Sequence, residues 1–254
     1  ALSRCVELLC GVRQGGVLSP ILFALYVDNI IVRLRYANLG CSIHNVYIGC
    51  VMYADDLLLL SASVSTLQRM INICADEISY LDMRFNVSKS AVIRVGKRFK
   101  QRCSSLTCDS ESLAVTDSVK YLGIHIVSGS QFTIDINKLK SRFYAALNSL
   151  LSKCGNYMNE MVTLQLINAF CRPLLLYGCD CVTLRKAHIA SLTHSWNRIY
   201  WTLFKINNDE CISDIQLFTS HLSITEDIAK RRLKFIYRVS VSSNSIMHFL
   251  SKFV

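Results

Sequence analysis

The chain has 254 residues, of which 52% are hydrophobic and 18% are charged, and its formal net charge is +10. With 10 Gly and 2 Pro, this composition excludes disordered, collagen-like and low-complexity proteins. The longest stretch without a charged residue, 36–54, is interrupted by Asn, Gly, Ser and His side chains, whereas a spanning helix needs about 20 mostly apolar residues. We therefore expect no membrane partner.

Positive charge is concentrated in the second half of the sequence. Residues 1–127 carry 13 basic and 10 acidic side chains, and residues 128–254 carry 15 and 8. Between Arg84 and Arg102 the sequence is rich in basic residues and contains no acidic one. Such a run is typical of a solvated face and also suits a polyanionic partner. The 12 cysteines lack the paired spacing of zinc ribbons or fingers, so we expect reduced and mostly buried thiols.

The first half alternates predicted strands and helices. A strand is predicted over Cys5–Cys10, and Ser19 and Pro20 predict the N-cap and the first position of a helix over residues 20–38. Two apolar runs, Val46–Met52 and Leu57–Leu60, predict a hairpin. The short polar segment that joins these runs is Tyr53–Asp56.

A second helix is predicted after this hairpin. Ser65 and Gln68 have the spacing of a capping box at its start. Its apolar residues recur at helical spacing and define one face: Leu67, Met70, Ile71, Cys74, Ile78 and Leu81. Short strands are predicted at Ala91–Val95 and Lys120–Ile126.

From Asp135 onward the pattern predicts helices only. Their predicted spans are Ile136–Lys153, Asn159–Tyr177, Lys186–Lys205 and a last helix after Ser223, with Glu226 as its capping partner. Pro173 should kink or divide the second of these helices. The Ser and Gly cluster within Val127–Phe132 predicts the boundary between two regions, 1–127 and 128–254.

Asp55 and Asp56 are adjacent acids at the predicted hairpin tip. Like charges side by side repel each other unless a cation lies between them, and carboxylate oxygens favour Mg²⁺ or Mn²⁺. Such ions often share their ligands with substrate phosphates, which points to phosphoryl transfer. Taken alone, however, the pair favours the simpler interpretation, a solvated turn.

Three further segments accompany the acidic pair. A glycine-bearing loop over Gly11–Pro20 precedes it, and Phe85–Ser90 and Lys120–Ile124 follow it. In this order and at these spacings, the segments resemble the reverse transcriptase of a non-LTR (LINE-type) retrotransposon, with Tyr53–Asp56 as the most diagnostic match. The resemblance covers residues 1–126, and Arg172–Gly178 is similar to the thumb region of the family.

The resemblance implies an α+β fold, in which a partial polymerase palm of antiparallel strands with packed helices is followed by an all-helical thumb. The implied activity is RNA-directed DNA polymerisation by two-metal nucleotidyl transfer, with Mg²⁺ or Mn²⁺ as cofactor. The implied partners are an RNA template, a DNA primer and deoxynucleoside triphosphates. Nuclear access is implied by family analogy alone, and the oligomeric state is left open.

The family's functional residues transfer to this sequence motif by motif. Asp55 and Asp56 would be the metal ligands, and Lys89 would protonate the departing pyrophosphate. Further positions would bind substrate: Gln14, Gly15, Gly16, Tyr53, Asn86, Tyr121, Leu122 and Gly123. Among these, Tyr53 would pack near the primer terminus, and the last three would form the hairpin that grips the primer end.

One expected element of the family is missing from these residues. The resemblance requires a further aspartate on a palm strand upstream of Gln14, where Glu7 is the only acid and lies in a different motif. Asp28 lies inside the helix after the loop and is expected on its outer face. We therefore expect this chain to be inactive alone. The alternatives are a degenerate, non-catalytic nucleic-acid-binding relic and a polymerase like that of group II intron maturases.

Two groups of side chains near the C-terminus allow opposite interpretations. Basic residues of the last predicted helix either contact template and primer phosphates or form a solvated face: Lys230, Arg231, Arg232 and Lys234. Aromatic residues at helical spacing either stack on bases or pack in the core, and core packing is favoured: Trp196, Tyr200, Trp201 and Phe204.

Overall fold

The structure is a computed structural model that describes residues 15–155, 158–206 and 208–253. The chain divides into two compact units. The first comprises Ala1–Val92 and Arg102–Val115, and the second comprises Ile93–Gln101 and Thr116–Val254. The predicted strand over Cys5–Cys10 lies outside the described residues.

The first unit combines helices with short strand pairs. Its elements in chain order are α1 (Ser19–Tyr36), β1 (Ser42–Ile43), β2 (Val46–Tyr47), β3 (Cys50–Tyr53), β4 (Asp56–Leu59), α2 (Val64–Tyr80), a 3₁₀ turn (Val87–Lys89), β5 (Ala91–Val92), β6 (Thr107–Cys108), β7 (Glu111–Ser112) and β8 (Ala114–Val115). Antiparallel pairs form between β1 and β2, β3 and β4, and β6 and β7, while β5 pairs in parallel with β8.

The core of the first unit lies between α1 and α2. The buried face of α1 repeats at helical spacing and consists of Val27, Ile30 and Leu34. The predicted apolar face of α2 is confirmed, since Met70, Ile71, Cys74 and Ile78 are buried while Leu67 and Leu81 are half-buried. Burial of each such side chain contributes about 1.5–3 kcal/mol, so this contact fixes the helix pair behind the β3–β4 hairpin.

Two glycines allow the neighbouring strand pairs to approach closely. Gly40 has φ of 104°, and a β-carbon added there would lie 2.8 Å from the α-carbon of Gly49. The Cys41 amide donates to the carbonyl of Leu60 at 3.0 Å, and the Leu60 amide donates to the carbonyl of Gly49 at 2.8 Å. The β3–β4 hairpin is thereby tied to the chain segment that leads into it.

Several local predictions in the first unit are corrected. Ser19 is the first residue of α1, and Leu18 occupies the N-cap without a side-chain capping bond. The prediction of a capping box at Ser65 and Gln68 is wrong, because α2 begins at Val64 and Ser65 already lies inside the helix. The Gln68 amide instead donates to the Thr107 carbonyl and accepts from the Thr107 amide, both at 2.8 Å.

The predicted strands are also shorter or divided. The run Val46–Met52 splits between β2, which pairs with β1, and β3, which pairs with β4. In the strand predicted at Ala91–Val95, only β5 forms a pair, and Val95 makes an isolated bridge with Gly129.

The second unit begins with a small sheet and continues with helices. Its elements are β9 (Ser118–Tyr121), β10 (Ile124–Val127), β11 (Thr133–Ile134), α3 (Ile136–Cys154), α4 (Glu160–Phe170), α5 (Arg172–Leu175), α6 (Lys186–Phe204), α7 (Asp209–Phe218), α8 (Ile224–Ser240), α9 (Ser245–Leu250) and a final 3₁₀ turn (Ser251–Phe253). The sheet has the strand order β11-β10-β9. The strand predicted at Lys120–Ile126 is therefore a hairpin.

Helices surround the core of the second unit. Trp196 and Tyr200 are fully buried on α6, where Trp196 lies beside Phe143 of α3 and Tyr200 lies beside Trp196. Trp201 and Phe204 are half-buried against the same core, so the prediction of core packing for these aromatics is confirmed. The helix predicted over Asn159–Tyr177 divides at Cys171, two residues before Pro173. This division is expected because the ring of a proline disrupts a helix.

A buried arginine joins α5 to α8. Arg172 is 5% exposed, and its Nε lies 2.8 Å from Oδ2 of Asp227. Its guanidinium also donates to the carbonyl of Leu222 at 2.6 Å and lies 4.9 Å from the ring centre of Trp196. The predicted capping box of Ser223 and Glu226 begins α8 and is confirmed.

These elements confirm the predicted α+β class, with strands confined to residues before α3 in the part of the chain that is described. The helices α7 and α9 were not predicted. Among the described residues, no helix is both long and apolar enough to span a bilayer. The ten described cysteines are free thiols, and five of them are buried, namely Cys50, Cys74, Cys108, Cys171 and Cys179.

Candidate active site

The two aspartates lie at the tip of the β3–β4 hairpin. The strands pair from Cys50 with Leu59 to Tyr53 with Asp56, which leaves Ala54 and Asp55 as the turn. Ala54 has φ of 52°, and a positive φ at the first turn residue is the pattern of a type II′ hairpin, where Gly is usual. Backbone strain of this kind is concentrated at functional sites.

Burial falls from the base of the hairpin to its tip. Cys50 is buried and Met52 is half-buried, whereas Tyr53 is 64% exposed and both aspartates are exposed. Among the described residues, neither aspartate forms an ion pair with a basic side chain. The tip therefore presents two adjacent carboxylates to solvent, and the strands that hold it end at the buried Cys50 and the half-buried Leu59.

These carboxylates are suitable donors for a divalent cation. Their oxygens are hard ligands of the kind that Mg²⁺ and Mn²⁺ prefer. Within the described part of the chain, no group of three or more His, Cys, Asp or Glu side chains is arranged to hold a metal. Asp55 and Asp56 can thus supply part of a coordination shell, with the remaining ligands coming from water, substrate or residues outside the described ranges.

The buried thiols and the phenol behind the hairpin carry no charge near neutral pH. Burial raises the pKa of the Cys50 thiol to about 11 and that of Cys74 to about 12. Burial, with smaller contributions from neighbouring thiols, also raises the pKa of Tyr47 to about 12. All three groups are neutral at pH 7. The charge in this core is therefore that of the Arg33–Glu77 ion pair between α1 and α2, and the aspartates provide the negative charge at the hairpin tip.

The glycine loop is described only in part. Gln14 lies outside the described residues. Gly15 has φ of 78°, and no described residue lies within 4 Å of a β-carbon added there. The carbonyl of Gly16 accepts from the Ser19 amide at 3.2 Å, and this bond leads the loop into α1. Asp28 is exposed on α1, as predicted.

Asn86 shapes the turn that carries Lys89. The Asn86 side-chain oxygen accepts from the Lys89 amide at 3.1 Å and from the Ser88 hydroxyl at 2.7 Å. Lys89 is exposed at the end of this 3₁₀ turn. The structure therefore gives Asn86 a capping role in presenting the ammonium group of Lys89. No described hydrogen bond or ion pair joins this turn to the hairpin tip.

The predicted primer-end residues form another hairpin tip, in the second unit. Tyr121 pairs with Ile124, and Leu122 and Gly123 form the turn between β9 and β10. The hydroxyl of Tyr177 donates to the Leu122 carbonyl, and Arg142 donates to the Gly123 carbonyl, both at 2.9 Å. Sequence reasoning missed both donors, although Tyr177 lies in the segment that resembles the thumb region.

The two units differ strongly in net charge. The first unit carries 8 basic and 9 acidic residues, and the second carries 20 and 9. Part of this excess comes from Ile93–Gln101, whose Gly96 amide donates to the Gly129 carbonyl at 2.8 Å. The net positive charge of the chain thus belongs to the second unit, while the aspartate pair belongs to the first.

Comparisons with known proteins support the resemblance for residues 5–126. The model of the family described as "Reverse transcriptase (RNA-dependent DNA polymerase)" matches residues 5–126. The retrovirus-related Pol polyprotein from the type-2 retrotransposable element R2DM of Drosophila melanogaster is 32% identical over 126 residues, which cover 46% of this chain and 12% of that relative. The chain therefore spans a small part of the length of this relative. Together with the aspartate hairpin and the α+β fold, these matches confirm that residues 5–126 resemble the reverse transcriptases of the non-LTR retrotransposon type.

Proposed function

We propose that this chain is the part of an RNA-directed DNA polymerase that holds two metal-binding carboxylates and grips the primer end. The observation that carries the proposal is the exposed Asp55–Asp56 pair on a strained hairpin tip, within a segment of the reverse transcriptase family. The whole reaction would extend a DNA primer on an RNA template with deoxynucleoside triphosphates.

In this proposal each exposed group has one task. Asp55 and Asp56 hold the divalent cations, Mg²⁺ or Mn²⁺, which when bound supply charge neutralisation for the attacking and leaving oxygens. Lys89, presented by the turn that Asn86 caps, donates a proton to the departing pyrophosphate. Tyr53 and the backbone of Gly15 border the primer terminus and the nucleotide. The Leu122–Gly123 turn contacts the primer end.

We further propose that the 254-residue chain does not polymerise DNA by itself. Two carboxylates supply few of the six ligands that an octahedral ion requires, and the described residues hold no larger cluster. A productive site would therefore need carboxylate ligands from beyond these residues.

Affinity cleavage by iron tests the metal assignment without polymerase activity. Fe²⁺ in place of Mg²⁺, with ascorbate and peroxide, should cut the backbone near Asp55, and excess Mg²⁺ should suppress the cut. Asp55→Asn should remove the cleavage. The control is Asp109→Asn, because Asp109 lies in the turn of the β6–β7 hairpin, is exposed and has Glu111 nearby. Cleavage that survives Asp55→Asn, or that is lost equally in both variants, would contradict the assignment.

A non-catalytic nucleic-acid-binding relic is a second candidate, favoured by the charge of the second unit, with 20 basic and 9 acidic residues. Such a protein would bind a primer–template duplex in a salt-dependent manner. It would show no iron cleavage at the Asp55 hairpin. The two candidates therefore differ in the metal experiment and agree in nucleic-acid binding.

A further inference from the structure

The Leu122–Gly123 turn adopts a conformation that its sequence disfavours. Leu122 has φ of 46° and Gly123 has φ of 80°. Two positive φ values in a two-residue hairpin are the pattern of a type I′ turn, for which Asn, Asp or Gly is usual at the first position. Leucine has no side-chain oxygen to support this backbone, so surrounding groups must hold it.

Two side chains from outside the hairpin hold consecutive carbonyls of this turn. The Tyr177 hydroxyl, after α5, donates to the Leu122 carbonyl at 2.9 Å. Arg142 of α3 donates through Nη1 to the next carbonyl, that of Gly123, also at 2.9 Å. The Arg142 guanidinium lies 5.9 Å from the ring centre of Tyr177. The donors thus support each other as well as the turn.

Glycines on both sides of this contact leave little room for a β-carbon. A β-carbon on Gly123 would lie 3.3 Å from Cε1 of Tyr177. A β-carbon on Gly178, which has φ of 74°, would collide with the side chain of Ile124, the first residue of β10. These glycines allow the ring of Tyr177 to lie against the turn while the Leu122 side chain stays 37% exposed.

We propose that Arg142 and Tyr177 are positioning residues that fix the Leu122–Gly123 turn for contact with the primer end. This inference rests on the proposed function. Nucleotidyl transfer requires the primer terminus to be placed accurately, and a misplacement of about 1 Å can cost about 100-fold in rate. Both donors come from the helical part of the second unit and bind backbone carbonyls of the turn. They therefore fix its backbone and leave the Leu122 side chain free of these contacts.

The test uses the whole chain and two variants that each remove one donor. Tyr177→Phe keeps the ring and removes the hydroxyl, and Arg142→Met keeps an unbranched stem and removes the guanidinium. The matched controls are Tyr80→Phe and Arg198→Met, which alter an exposed tyrosine and an exposed arginine elsewhere. Hydrogen exchange is measured at the amides of residues 122–124. Affinity is measured for an RNA–DNA duplex with a recessed primer 3′ end and for a blunt duplex of equal length.

Loss of one hydrogen bond should speed exchange at these amides by about 2- to 10-fold. The preference for the recessed primer end should fall by a similar factor, while affinity for the blunt duplex stays within that of the control variants. Unchanged exchange in both variants would overturn the inference. So would faster exchange with the primer-end preference intact, since the contacts would then be purely structural. If the wild-type chain shows no primer-end preference, the proposed function of the turn fails instead.

Discussion

Removal of the Arg172 guanidinium should destabilise the second unit far more than loss of an exposed basic side chain. Arg172 is 5% exposed, and its ion pair with Asp227 is 2.8 Å long, with only 14% of the Asp227 side chain accessible. Breaking a buried pair by removal of one partner costs about 3–5 kcal/mol. Arg172→Met leaves Asp227 with Arg231 at 3.1 Å, so we expect a loss near the lower limit, about 3 kcal/mol.

Urea unfolding followed by tryptophan fluorescence measures this loss selectively. The only tryptophans of the sequence, Trp196 and Trp201, both lie on α6 in the second unit. A double-mutant cycle with Asp227→Leu adds a second criterion, because the double variant removes both charges and should cost less than the sum of the single changes. Arg198→Met is the control for an exposed arginine. A loss below about 1 kcal/mol for Arg172→Met, or strict additivity in the cycle, would refute the reasoning.

Three further predictions concern other parts of the molecule. Gly40→Ala should destabilise the first unit by about 1–3 kcal/mol, because its β-carbon would meet Gly49. Circular dichroism in urea should show a smaller loss for Gly15→Ala, which shares the strain of a positive φ but meets no atom of the described residues within 4 Å. Burial, and then the charge of Arg172, lower the pKa of His221. As the pH falls below about 6.5, His221 is therefore protonated more readily in the unfolded chain than in the folded one, and the folded state loses stability. His221→Gln should reduce this loss of stability between pH 7.5 and 5.5. For duplex binding, the combined Lys230→Gln and Lys234→Gln change should lower the salt slope by about 1–2, whereas Arg231→Gln should not, because Arg231 is paired with Asp227 at 3.1 Å.

Features whose causes are local in sequence were predicted well. The apolar face of α2 follows from helical spacing alone, and the capping box of Ser223 and Glu226 needs only residues three positions apart. The division of the helix before Pro173 is equally local, since the proline ring itself disrupts the helix. The acidic hairpin tip at Asp55 was predicted for the same reason, because two apolar runs flank a short polar step.

Features that depend on distant partners were not predicted. Gln68 has the spacing of a capping residue, but its amide binds Thr107, which lies 39 positions away. The two donors to the Leu122–Gly123 turn lie 19 and 55 positions from the carbonyls they bind. No periodic pattern encodes such pairs. The short helices α7 and α9 do have a local signal, an asparagine N-cap at Asn208 and Asn244, but ten and six residues give little periodicity to support it.

The boundary predicted near Val127–Phe132 remains a prediction about domains. The contacts of the chain place β9 and β10 with the helices and assign Ile93–Gln101 to the same unit. The reason is again non-local, since Arg94 and Gly96 bind Ser128 and Gly129 through hydrogen bonds of 2.7 and 2.8 Å. A basic segment that interrupts the first unit in sequence thereby adds its charge to the second.

Single-nucleotide primer extension tests the central claim most directly, with residues 1–254 joined to a polymerase segment that supplies the further carboxylate required by the proposed function. Asp55→Asn should abolish Mg²⁺-dependent and Mn²⁺-dependent extension while duplex affinity stays unchanged. Asp109→Asn, at the other exposed hairpin tip, should retain extension at the wild-type rate. Extension that persists in Asp55→Asn would contradict the assignment of this carboxylate as a metal ligand, and with it the proposed active site.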